Sequence, residues 1–193
     1  MSAPTRRGRT GFAGAAALNA EDAVEILDRL DAAGVWYCIE GGWGVDALLG
    51  EQTREHRDLD LGVRMDEVDL LTAVLAEFER DEREWPSSLI LDDARGRRVD
   101  MHPLTFDADG NGWQASLRGE PHRWPREHLD ARGRIGGRDV RCIAPELQLR
   151  WHEHDEFDDV DWADVRALAE RFGLDVQPAL AVPPGFVAEK RAH

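Results

Sequence analysis

Apolar positions recur at three- and four-residue spacing between Asn19 and Ala33, where Val24, Leu27 and Leu30 form one stripe. Asn19 can cap, Glu21 and Asp22 suit the positive helix end, and Gly34 suits a stop, so the pattern predicts a first helix over 19–33. The run Val35 to Ile39 predicts a short buried strand. Gly41 and Gly42 turn the chain, and Trp43 to Leu49 predicts a short helix closed by Gly50. Alternation from Arg57 to Val63 predicts a second strand. Val68, Leu71, Val74, Leu75 and Phe78 then predict a helix over Met65–Arg80. Ser87–Asp93 and Arg97–Pro103 read as a hairpin, and the stretch from Phe106 continues through an Asp/Gly/Asn turn. Gly133–Ala144 predicts two short strands around Gly136-Gly137. Pro145 opens a helix to about His154, and a last helix runs from about Asp161 to Phe172, stopped by Gly173.

This order predicts an α+β (mixed α/β) fold with a mixed sheet flanked by helices and a helical C-terminal part. The organisation expected is a flexible N-terminal tail over 1–18, a core over 19–143 and a helical segment with a tail over 144–193. The 193 residues suffice for one such core. No apolar run reaches the length of a membrane span, and the basic, small-residue N-terminus lacks a signal-peptide core, so a cytoplasmic protein is expected. Cys38 and Cys142 sit singly in apolar runs and are expected reduced and buried.

Charge changes the picture next. A net −15 argues against nucleic-acid or membrane-surface partners; an acidic surface attracts cationic small molecules by its long-range field, but on its own the charge is better read as keeping the protein in solution. The densest acidic run, Glu153 to Asp164, would suit a polycationic acceptor if it borders the site, or else is a solvated connection.

The candidate chemistry lies in one window, GGWGVDALLGEQTREHRDLDLGV, from Gly41 to Val63. On a strand Asp58 and Asp60 point the same way, roughly 7 Å apart at their Cα atoms, with Leu59 and Leu61 on the other face. Two carboxylates on one face suit hard cations such as Mg²⁺, which prefers few protein carboxylates and several phosphate oxygens. Two-ion phosphoryl-transfer sites use such a set. Asp100, in RRVDMHP, alternates with Val99 and Met101 and completes the cluster if its strand lies beside 57–63; it would be metal ligand or general base. Gly41 and Gly42 lack Cβ atoms and precede a helix start, so their backbone can approach a phosphate. Thr53, Arg54, His56 and Arg57 are candidates for binding and neutralising a triphosphate.

GGWGVDALLGEQTREHRDLDL resembles the signature of the small aminoglycoside and lincosamide nucleotidyltransferases of the polymerase-β-like superfamily. RVDMHP is similar to the family's third-carboxylate segment, GRIGGRDVRCIAPELQLR to its later strand pair and helix start, and DWADVRALAERFGL to its last helix. The resemblance spans most of Ala20 to Leu174. It implies transfer of a nucleotidyl group, usually AMP from ATP with Mg²⁺ (two ions), onto an antibiotic hydroxyl, releasing pyrophosphate. It implies that Gly41 and Gly42 touch the triphosphate, that Asp58 and Asp60 hold metal, and that Asp100 is ligand or base. The acidic segment after Pro145 and the stretch Arg118–Leu129 match no motif of the family. Two other readings stand beside this one: an adenylyltransferase that modifies a protein, as toxin–antitoxin partners do, and a catalytically silent nucleotide binder.

Overall fold

A computed structural model describes residues 17–151 and 158–176. One mixed sheet organises the chain. Its strands are β1 (Tyr37–Glu40), β2 (Leu59–Arg64), β3 (Glu79–Asp81), β4 (Leu89–Asp92), β5 (Arg98–Phe106), β6 (Gly112–Gln114), β7 (His122–Trp124), β8 (Ala131–Ile135) and β9 (Arg138–Cys142). The path across it is β3-β4-β5-β2-β1-β9-β8, with β6 pairing both β5 and β7. β1 runs antiparallel to β2, while β2 and β5 are parallel, as are β1 and β9. The helices are α1 (Ala20–Ala32), α2 (Gly41–Leu49), α3 (Val68–Val74), α4 (Pro145–Trp151) and α5 (Asp159–Phe172). The α+β class expected from the pattern is what the chain forms.

α1 starts as its sequence dictates: the Asn19 side chain accepts from the Asp22 N–H at 2.8 Å. Its inward face is Ala23, Ile26, Leu27 and Leu30, with Val24 at the margin. Those residues pack with Ile39, Leu59, Leu61, Val63, Val99 and Met101, so the α1 side of β1, β2 and β5 is the main core. Leu18, assigned by pattern to the N-terminal tail, belongs to this core at 1% exposure, and its N–H donates to His56 O at 2.7 Å. Both cysteines are free and buried; burial pushes the Cys142 thiol up to about 12 and that of Cys38 upward too.

Three elements differ from the pattern. The helix expected over 65–80 is a 3-10 turn at Met65–Glu67, then α3, which stops at Val74. Arg29 donates to Val74 O and pairs with Glu77, which ends α3, and Glu79–Asp81 then pairs with β4 as a charged edge strand. α2 begins at Gly41 rather than Trp43, so the two glycines form its first turn instead of a loop. β7 lies in the stretch 118–129 to which no element was assigned; its Trp124 is buried at 1% exposure and its backbone pairs with β6. α5 packs on α2 and α4, so the C-terminal helices lie against the core. Much of the acidic run, from 152 to 157, lies outside the described residues. Of its remainder, Asp158 and Asp161 form the capping box of α5, and Asp164 is buried.

Candidate active site

The strand register builds the site. Glu40 at the end of β1 lies opposite Asp60 of β2, and Asp60 lies opposite Asp100 of β5. Three carboxylates therefore stand in one row across three adjacent strands. Their neighbours Ile39, Leu59, Leu61, Val99 and Met101 turn to the core, each at 0% exposure, because side chains alternate along a strand. The next same-face row is Cys38, Gly62 and His102. Asp60 is nearly inaccessible at 2% exposure and Asp100 is partly buried. One ligand atom each from Asp60, Asp100 and His102 lie within 4.8 Å of one another. The sequence reading paired Asp100 with Asp60 correctly and missed Glu40 and His102. The signals for both were present: Glu40 ends the apolar run before the glycines, and His102 stands two residues beyond Asp100, on its face.

Asp58 lies one residue before β2, and the register sets it beside Arg98. It is outside the close three-residue group of Asp60, Asp100 and His102. Arg98 makes a two-pronged pair with Asp92 at 2.7 and 2.8 Å. That hydrogen bond, aided by the charges of Asp92, Asp58 and Asp100, holds its guanidinium above the usual value. Ser88 donates its hydroxyl to Asp100 Oδ1, fixing one carboxylate oxygen.

The glycines are spaced for close packing against side chains. A Cβ on Gly41 would lie 2.1 Å from Asp60 Oδ2, and its φ of +60° is a left-handed conformation that glycine adopts without penalty. A Cβ on Gly42 would lie 2.4 Å from Arg54 Nη2 and 2.5 Å from His56 Nδ1. The space each Cβ would fill is thus taken by protein. The backbone N–H groups of this turn remain relevant: α2 has no side-chain cap and no acidic residue in its first turn. At its other side Gln148, fully buried, donates to Gly41 O and joins α4 to this turn.

His56 is buried, and the exposed Thr53 and half-buried Arg54 direct their polar atoms toward the interior. Thr53 donates to Asp46 Oδ1, and His56 Nε2 meets Asp46 Oδ2. Arg54 donates to His56 Nδ1 at 3.0 Å and pairs with Asp164 of α5 at 2.9 Å. An arginine can only donate, so Nδ1 accepts and Nε2 carries the proton toward Asp46. His56 is 2% exposed and lies against Trp43 with the rings tilted by 41° and their centroids 4.4 Å apart. Arg57 is exposed and has no ion-pair partner among the described residues. The two tryptophans considered for acceptor stacking divide: Trp113 is 38% exposed and donates to Asp107, while Trp124 is core.

A model of the aminoglycoside-2''-adenylyltransferase family matches residues 22–168, which contain the whole carboxylate row and its supports. The chain belongs to the aminoglycoside-2''-adenylyltransferase family. It is similar to the lincosamide resistance protein of Staphylococcus haemolyticus, 30% identical over 145 residues, covering 74% of this chain and 89% of that protein. It is also similar to the 2''-aminoglycoside nucleotidyltransferase of Klebsiella pneumoniae, 30% identical over 145 residues, covering 72% of this chain and 76% of that protein. Among solved structures, the lincomycin-bound lincosamide antibiotic adenylyltransferase LnuA superposes with a TM-score of 0.71 at 27% identity, covering 79% of this chain and 98% of that one. As a member of this adenylyltransferase family the chain is a nucleotidyltransferase. Among the described residues no helix is long and apolar enough to cross a membrane.

Proposed function

We propose that this protein transfers AMP from ATP onto a hydroxyl of a lincosamide or aminoglycoside antibiotic and releases pyrophosphate. The observation that carries the reading is the in-register pairing of Asp60 with Asp100 beside the first turn of α2. The donor set fits a divalent cation. Carboxylate oxygens are hard ligands, and two of them are held together at the edge of a buried face where a cation would offset their mutual repulsion. Asp60 and Asp100 would hold the ion, with Asp58 next along the chain as the residue toward a second.

A bound divalent ion supplies neutralisation of the triphosphate charge and a fixed seat for its oxygens. The chain's own residues do the rest. The uncapped N–H groups of the first turn of α2, at Gly42 and after it, offer donors to phosphate oxygens. Arg57, exposed just before β2, adds a positive charge for the polyphosphate. The acceptor hydroxyl oxygen attacks the α-phosphorus and the bond to pyrophosphate breaks. The hydroxyl proton passes to Asp100 at Oδ2, the oxygen that Ser88 does not occupy. Thr53, Arg54 and His56 act here by fixing the chain that enters β2.

The test is incubation with ATP labelled at the α-phosphate, Mg²⁺, and lincosamide and aminoglycoside acceptors. Labelled antibiotic and stoichiometric pyrophosphate are expected. A folded protein that labels no acceptor of either class defeats the reading.

A further inference from the structure

We infer that His102 is an N–H donor within the carboxylate row and not a metal ligand, and that Gln114 is the positioning residue that makes it so. The inference rests on the reading of Asp60 and Asp100 as the catalytic carboxylates.

Hydrogen-bond chemistry fixes the orientation of Gln114 from two sides. Trp124 Nε1 is a donor only, and it lies 3.2 Å from Gln114 Oε1. The Ser87 carbonyl is an acceptor only, and Gln114 Nε2 lies 2.9 Å from it. Both demand the same amide orientation. The second N–H of Gln114 Nε2 then points at His102 Nδ1, 2.7 Å away. An amide NH₂ cannot accept, so Nδ1 must present its lone pair and the ring proton sits on Nε2. That N–H faces Glu40 Oε1 at 3.5 Å and Asp100 Oδ1 at 3.7 Å.

The consequence is chemical. A metal bound at Nε2 needs a lone pair there, and ligating histidines normally donate their other N–H to an acceptor. Here the other nitrogen meets a donor instead, so Nε2 is closed to a cation although it lies within reach of one. What His102 contributes is a positive ring edge set between two negative side chains, near the same Asp100 oxygen, Oδ1, that Ser88 binds. The scaffold behind it is buried: Trp124 and Gln114 are 1% and 6% exposed. Gly62, in register with His102, makes room for them, since a Cβ there would lie 2.8 Å from the Trp124 ring.

The test is the ¹⁵N spectrum of histidine-labelled protein, with the His102 signals identified by their loss in His102→Gln. A pyridine-like Nδ1 and a pyrrole-like Nε2 are expected, both unchanged when Mg²⁺ is added. A pyridine-like Nε2, before or after Mg²⁺, overturns the proposal. In Gln114→Met the tautomer preference should be lost and kcat should fall about ten- to hundredfold with little change in the acceptor KM. Wild-type kcat in a folded Gln114→Met protein would equally overturn it; should that variant not fold, the wild-type spectrum still decides. The spectrum is read without acceptor, so a wrong acceptor class leaves it standing, and a failed spectrum leaves the transferase reading standing.

Discussion

Two groups of polar side chains lie within a few residues of each other and do opposite things. Thr53, Arg54 and His56 direct their hydrogen bonds to the buried carboxylates of Asp46 and Asp164. Glu40, Asp60 and Asp100 stand in a row of like charge on the other face of the strands. The loop group largely satisfies itself: the Thr53 hydroxyl, the His56 Nε2–H and both Arg54 Nη groups find acceptors. The row concentrates negative charge that the protein only partly answers, with Ser88, His102 and Arg98 at its margin. A self-satisfied buried network stabilises. A row of like charge answered only in part costs stability. The adjacent glycines divide in the same way: the space beside Gly41 belongs to Asp60 and that beside Gly42 to Arg54 and His56.

Crossed readouts test this division. The largest effect is expected at the row. Asp60→Asn or Asp100→Asn should lower kcat by at least about 10²-fold, the scale of losing one preorganised charge at a transferring phosphoryl group. The thermal midpoint should stay the same or rise as repulsion is relieved. A marked loss of stability without loss of turnover would merge the two groups into one.

The second effect is expected at the loop. His56→Ala leaves the buried Asp46 carboxylate and the Arg54 guanidinium short of a partner and should destabilise by about 1–3 kcal/mol. Gly42→Ala should act in the same direction, because the added methyl meets Arg54 and His56. In both, kcat of the protein that remains folded should stay near wild type, measured by urea unfolding and initial rates on one preparation. A loss of kcat matching that of Asp60→Asn would return His56 to the nucleotide site.

The smallest effect serves as a control outside both groups. The hydrogen bond from Arg29 holds the Glu77 carboxyl down to about 2, against an ordinary value of 4.5. A depressed folded value adds stability that is fully present above the unfolded pKa and is lost as pH falls from about 5 toward 2. Glu77 is half exposed, with 48% of its side chain accessible, so the share is at most about 1 kcal/mol. Glu77→Gln should flatten the acid limb of the stability curve slightly and leave turnover untouched; an unchanged acid limb in Glu77→Gln would remove that contribution.

The sequence by itself determined the α+β class, the cap and stripe of α1, and the hairpins. These follow from local rules: period, capping chemistry and turn residues act within a few positions of one another. It also placed Asp60 and Asp100 on polar faces, since alternation with Leu61 and Met101 is a local matter. Only the tertiary structure decided that Glu40 joins them, because β1 could have paired in another register or order. Tertiary contacts alone decided too that Arg54 and His56 face inward, since their partners Asp46 and Asp164 come from α2 and α5. The same holds for Gln114, which acts on His102 from a neighbouring strand. Hydrogen-bond complementarity between residues distant in sequence leaves no period or spacing to read, which is why the charged loop before β2 did not show its inward partners in advance.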